Sequence, residues 1–189
     1  MTESEQVTGG ILAGGRGQRM GGLDKGLMLH DGRELVAHMI ERLRPQVAGI
    51  VLSANRNLDR YRAFGYPVHA DDHVDFSGPL AGIARLLQAC PTEFLMTVPC
   101  DTPAFPQHLA ELLLARQHET GADVVVVHDG EQRQFLFALY RRDLAASARD
   151  ALGAGERAVW RWQEDLNLAE AHVDGGPAAF ANLNTRADL

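Results

Sequence analysis

The only lysine of the 189-residue chain, Lys25, stands near the end of a glycine-rich stretch, residues 11–26, ILAGGRGQRMGGLDKG. Glycines let backbone N–H groups converge on an anion with no Cβ in the way. Arg19 can fork onto phosphate oxygens, and Lys25 is a compact charge on a mobile stem. With Arg16, these cations fall within ten residues. Two familiar phosphate loops are excluded. A P-loop needs a hydroxyl after its lysine, and Gly26 follows Lys25; the dinucleotide fingerprint needs a third glycine where Met20 stands. Far along the chain, PCDTP at 99–103 places Asp101 just past an apolar run. Magnesium takes oxygen ligands, and one or two carboxylates suffice when substrate phosphates supply the rest. An Asp in DTP also suits a plain turn; a phosphate loop on the same rim favours the metal.

These groups need elements that bring them together. Strands are expected at 9–13, 49–54, 66–70, 93–99, 122–128, 134–140 and 168–173. Helices are expected at 34–44, 58–64, 77–90, 105–117, 143–152 and 156–166, with a last turn begun by Thr185 and Asp188. The helix at 34–44 buries Leu35, Val36, Met39, Ile40 and Leu43; the one at 77–90 has Pro79 in its first turn; the one at 105–117 turns Leu109, Leu112 and Leu113 inward. Alternation of strand and helix implies an α/β fold with a mostly parallel sheet covered on both faces. Ligands of such sheets bind at the carboxyl ends of the strands. The glycine loop, SANR at 53–56, ADDH at 70–73 and PCDTP should therefore share one rim.

Composition narrows the partners. A net charge of −7 leaves no basic footprint for nucleic acid and no attraction to anionic membranes. Cys90 and Cys100 are too few for a disulfide framework or a cysteine-based zinc site. No secretory leader is visible, and no apolar run approaches the about 20 residues of a membrane span, so a cytoplasmic protein of one domain, 1–189, is expected. His69 and His73 are spaced for a metal only on a helix, and their segment reads as strand end and loop. Trp160 and Trp162 alternate, which suits packing at a subdomain edge better than stacking on a ligand.

The stretch LAGGRGQRMGGLDKGL resembles the signature of the molybdenum cofactor guanylyltransferases, and GPLAG at 78–82, PCDTP, VHDGE at 127–131, AGER at 154–157 and NLNT at 182–185 follow in the family's order. The resemblance implies a three-layer α/β/α Rossmann-like nucleotidyltransferase fold. It implies transfer of GMP from GTP to molybdopterin, with Mg2+ and release of pyrophosphate. It assigns Leu12, Ala13, Gly14, Gly15, Ser53 and Asp71 to the nucleotide, Lys25 to its phosphates and Asp101 to the metal. Ser53 stands where the family often carries asparagine, and Gln134-Phe135 where it often carries Gln-Pro. Arg157, Asn182 and Asn184 are expected on the acceptor side, which gives a nucleotide-binding part at about 1–130 and an acceptor-binding part at about 131–189. Partners implied are GTP, molybdopterin, proteins that deliver the pterin and molybdoenzymes that accept the product.

The expected chemistry needs no general base. A phosphate monoester with a second pKa of about 6 is mostly dianionic at neutral pH. Catalysis is then positioning and charge neutralisation, with Lys25, Arg19 and Asp101 as the acting residues. Related cytidylyltransferases carry alanine where Gly14 stands; the missing Cβ leaves room for a purine. A nucleotidyltransferase for CTP or a sugar phosphate, and a non-catalytic nucleotide-binding module, remain alternatives.

Overall fold

The structure, a computed structural model, describes residues 3–13, 24–71 and 78–183. In chain order these form β1 (Val7–Leu12), a hairpin of β2 (Leu29–His30) and β3 (Arg33–Glu34), α1 (Leu35–Leu43), β4 (Gly49–Ser53), α2 (Leu58–Arg62) and β5 (Val68–His69). They continue with α3 (Pro79–Ala89), β6 (Phe94–Pro99), α4 (Leu109–Thr120), β7 (Val124–His128), β8 (Arg133–Arg141), α5 (Ala145–Gly153), α6 (Val159–Glu164) and β9 (Leu168–His172). The seven-stranded sheet has the order β5-β4-β1-β6-β8-β7-β9. All neighbours are parallel except at β8, which runs antiparallel to both β6 and β7. The carboxyl ends of β5, β4, β1, β6, β7 and β9 therefore lie on one rim, and β8 brings its amino end to it.

Side chains alternate between two cores. Ile11, Leu52, Met96, Val98 and Val125 face α1, α2 and α4; Leu12, Val51, Leu95, Val126 and Tyr140 face α3, α5 and α6. This is the expected three-layer arrangement. The paired glycines of β1 bring the central helices close on both faces. A Cβ on Gly9 would stand 2.5 Å from Leu43 Cδ2, and one on Gly10 2.9 Å from Leu86 Cδ1. Larger residues would push α1 and α3 off the strand that leads into the glycine loop.

Some boundaries differ from the sequence expectation. The helix expected over 105–117 begins at Leu109, because the carbonyls before it are already taken. Arg42 donates to Ala104 O at 3.0 Å and Phe105 O at 2.5 Å, and Gln46 donates to Pro106 O at 3.4 Å. Gln46 then accepts the Ala110 N–H at 3.1 Å, a cap supplied from another element. Leu112 is only partly buried. The β2–β3 hairpin was not expected; Asp31 at φ 50° and Gly32 at φ 76° close it with a two-residue turn. In α6 the tryptophans diverge: Trp162 is buried and stacked on Tyr140 at 5.5 Å, while Trp160 is exposed.

Candidate functional site

The rim gathers the expected segments around the ends of β1 and β6. Leu12 pairs with Ser53 on one side and Pro99 on the other. Ladder-like bonds continue past the strand ends: the Ala13 N–H donates to Ser53 O at 2.8 Å and the Cys100 N–H to Leu12 O at 3.2 Å. These bonds fix Cys100, and the residue after it is Asp101. Lys25, opening a 3-10 turn at Lys25–Leu27, reaches across to form an ion pair and hydrogen bond with Asp101 Oδ2. The lone ammonium and the PCD carboxylate thus meet, although no strand links them directly. Both are partly buried, which strengthens the interaction over that of a surface pair.

The chain's end returns to the same place. The Leu183 N–H donates to Asp101 O at 2.9 Å, and the buried Thr102 hydroxyl donates to Asn182 Oδ1 at 2.7 Å. Asn182 is thereby held beside Asp101. Arg157 is differently used: its guanidinium donates to Leu152 O at 2.9 Å and Glu156 O at 2.7 Å, closing the end of α5. Gly14, Gly15, Arg16, Arg19, His73, Asn184, Thr185 and Asp188 lie outside the described residues.

Leu12 and Ala13 have core side chains, so a ligand would meet their backbone. Ser53 is buried; a Cβ on Gly82 of α3 would lie 2.8 Å from its Oγ. The residue that reaches the rim from this segment is Asn55, which the sequence reading did not single out. It makes a reciprocal pair with Asp71, donating to Asp71 Oδ2 at 2.7 Å and accepting the Asp71 N–H at 2.8 Å. The SANR and ADDH segments are thus joined across β4 and β5. The local signal for Asn55 was an asparagine directly after a strand in a polar segment; its partner was visible only in three dimensions.

Cys100 is buried, and that burial, with help from the Asp101 and Asp24 carboxylates, pushes its thiol up to about 12, which disfavours the thiolate. His69, at the end of β5, is held below its ordinary value by burial and then by Arg85, which disfavours the imidazolium. No cluster of three or more His, Cys, Asp or Glu side chains suited to a metal occurs among the described residues. The donor at hand is the Asp101 carboxylate, and a hard cation that shares substrate phosphates fits a single carboxylate. Farther along the rim, Asp129 closes the β7–β8 turn. Its Oδ1 accepts the N–H groups of Glu131 and Gln132, both at 2.9 Å, and its Oδ2 accepts the Gln134 amide at 2.6 Å. Phe135 packs against the core on the α3 face.

A family model described as MobA-like NTP transferase domain matches residues 9–170. The chain is 44% identical over 193 residues to a molybdenum cofactor guanylyltransferase of Bordetella petrii, covering 100% of this chain and 98% of that protein. It is 43% identical over 175 residues to one of Shewanella putrefaciens, covering 93% and 90%. The fold is similar to that of a molybdopterin-guanine dinucleotide biosynthesis protein A from Archaeoglobus fulgidus, with a TM-score of 0.78 at 22% identity over 96% of this chain and 94% of that one.

Proposed function

We infer the reaction from one premise: the chain belongs to the MobA-like NTP transferase family. It transfers the GMP moiety of GTP to the phosphate of molybdopterin, giving molybdopterin guanine dinucleotide and pyrophosphate. Near-full-length similarity to named guanylyltransferases supports the substrates. The observation that carries the chemistry is the meeting of Lys25 and Asp101 across the ends of β1 and β6.

The acceptor phosphate oxygen bonds to the α-phosphorus of GTP, and the bond from that phosphorus to the α,β-bridging oxygen breaks. Its electron pair leaves with pyrophosphate. The attacking phosphate is mostly dianionic at neutral pH, so no residue has to remove a proton. The protein's task is to hold two anions in line and offset their repulsion. Lys25, with Arg19 from the glycine loop, faces the charge that develops on the leaving pyrophosphate. Asp101 would hold Mg2+, which would supply neutralisation of phosphate charge. Asp71, locked by Asn55, serves the guanine nucleotide; Leu12 and Ala13 border it through their backbone, and Gly14, Gly15 and the buried Ser53 serve the same nucleotide. Asn182 and Asn184 serve the acceptor side. Arg157 serves it indirectly, by fixing the turn after α5. Among the described residues no helix is long and apolar enough to cross a membrane. The enzyme works in the cytoplasm, on a pterin delivered and collected by other proteins.

Pyrophosphate release measured across the four nucleoside triphosphates, with and without molybdopterin and with and without Mg2+, tests this reading. The expected signal needs GTP, molybdopterin and the metal together. Equal turnover with CTP would transfer the assignment to a relative of different base choice. Nucleotide binding with no release under any combination would make the protein a non-catalytic module.

A further inference from the structure

We propose that Asp24 is a positioning residue that aims Lys25 across the rim, and that Tyr61 and Asn57 hold Asp24 in place. The proposal rests on the reading of Lys25 as the cation that faces the nucleotide phosphates. Both carboxylate oxygens of Asp24 are engaged by side chains from the segment after β4. The Tyr61 hydroxyl donates to Oδ1 at 2.5 Å, and the Asn57 amide donates to Oδ2 at 2.9 Å. The Asp24 carbonyl also accepts the Leu27 N–H at 3.1 Å, so the residue before Lys25 is fixed through both its side chain and its backbone.

Tyr61, a residue of α2, is fully buried in the core, which gives its hydroxyl a rigid base. Burial, and then the bond to Asp24, pushes the phenol far above its ordinary value, so it remains a donor throughout the physiological range. The same hydroxyl lies against the backbone on the other side of Lys25: a Cβ on Gly26 would stand 2.5 Å from it. One phenol therefore touches the residues that flank the lysine, one by a hydrogen bond and one by close approach. A lysine has four rotatable bonds and loses precision unless its backbone is fixed. An aspartate with both oxygens engaged is poorly suited to contact phosphate, and its charge would repel it. Its chemistry fits an anchor.

Asn57 offers a clean test. It holds a left-handed conformation at φ 50°, which glycine adopts without the penalty other residues bear. Asn57→Gly therefore removes the amide while easing the backbone. The measurements are kcat and KM for GTP by pyrophosphate release with molybdopterin, plus the melting temperature. They are made on the wild type, Asn57→Gly, Tyr61→Phe, Lys25→Ala and the double variant Lys25→Ala/Asn57→Gly. Asn57→Gly is expected to melt no lower than wild type and to lose about tenfold in kcat, with KM nearly unchanged, as expected when a reacting group is misplaced. In the Lys25→Ala background the same change is expected to have no further effect. Equal losses in both backgrounds, or full kcat in Asn57→Gly and Tyr61→Phe while Lys25→Ala is crippled, would overturn the positioning role and leave the lysine's own role standing. Near-normal turnover in Lys25→Ala would instead remove the premise and the proposal with it.

Discussion

Lys25 differs from the chain's arginines in what it can follow. Its ammonium is a point charge on a flexible stem, whereas a guanidinium commits to one plane. In the structure that stem bridges from a 3-10 turn to Asp101, so the charge is held at the carboxyl end of β6. Lys25→Ala is expected to lower kcat by about 100-fold, the scale of removing one preorganised cation or donor from a developing anion. Lys25→Arg restores the charge but not the reach, and is expected to recover only part of the loss. Both are read from steady-state pyrophosphate release at saturating GTP and Mg2+. If both variants turn over near the wild-type rate, Lys25 is a structural partner of Asp101 and no more. Asp129 makes the complementary point that a carboxylate on the rim need not touch substrate. Burial would raise its pKa, but the hydrogen bonds from Gln132, Gln134 and Glu131 outweigh this and hold it below the usual carboxylate range. A depressed folded pKa means that the unfolded chain binds more protons in the window between the two values. The stabilisation is therefore complete above about pH 4 and is lost as pH falls through the folded value. Asp129→Asn is expected to cost about 1–2 kcal/mol at pH 7. The gap to wild type in chemical denaturation should narrow as the pH is lowered below 4; a gap that holds constant into acid would show that the carboxylate's charge contributes nothing.

At the scale of elements, periodicity was the readable signal. The stripe of Leu35, Val36, Met39, Ile40 and Leu43 is buried on α1 as its spacing predicts, and the Val124–His128 run is a strand buried on both faces. The rim was also readable, because strand ends in a parallel sheet have one direction and polar segments after strands must gather there. Most of what escaped the sequence reading shares one cause: the deciding partner is distant in the chain. The amino end of α4 has no capping side chain of its own and is completed by Gln46, so its start could not be placed locally. Tyr61 in LDRYR looks like one more apolar position of a short helix; only the fold shows its hydroxyl on Asp24. Asn55 and Asp71 each follow a strand, yet their reciprocal bonds depend on β4 and β5 being neighbours. Ser53, expected at the nucleotide by position, has its side chain buried against α3, a packing that position alone did not reveal. The β2–β3 hairpin had its Asp-Gly turn in plain view, but two-residue strands carry no alternation to confirm it.

For the whole molecule, a nucleotide part at about 1–130 and an acceptor part at about 131–189 would not be separate folding units. β8 lies beyond residue 130 yet sits between β6 and β7 in the sheet. β7 lies before it, and both of its neighbours, β8 and β9, come after. The core on the α3 face is likewise shared, since Leu80, Ile83 and Leu87 pack with Tyr140, Leu144, Ala148 and Trp162. A fragment ending at residue 130 would leave the Val124–His128 strand with no partner and expose the apolar face of α3, the kind of unpaired edge and patch that drives aggregation. Such a fragment is expected to show no cooperative thermal transition and no GTP-dependent shift in melting, and the full chain is expected to show both. A fragment that melts cooperatively and is stabilised by GTP with Mg2+ would mean that the nucleotide half folds without the inserted strand. The bond from Leu183 to Asp101 would then be a late docking contact and not a consequence of one shared sheet.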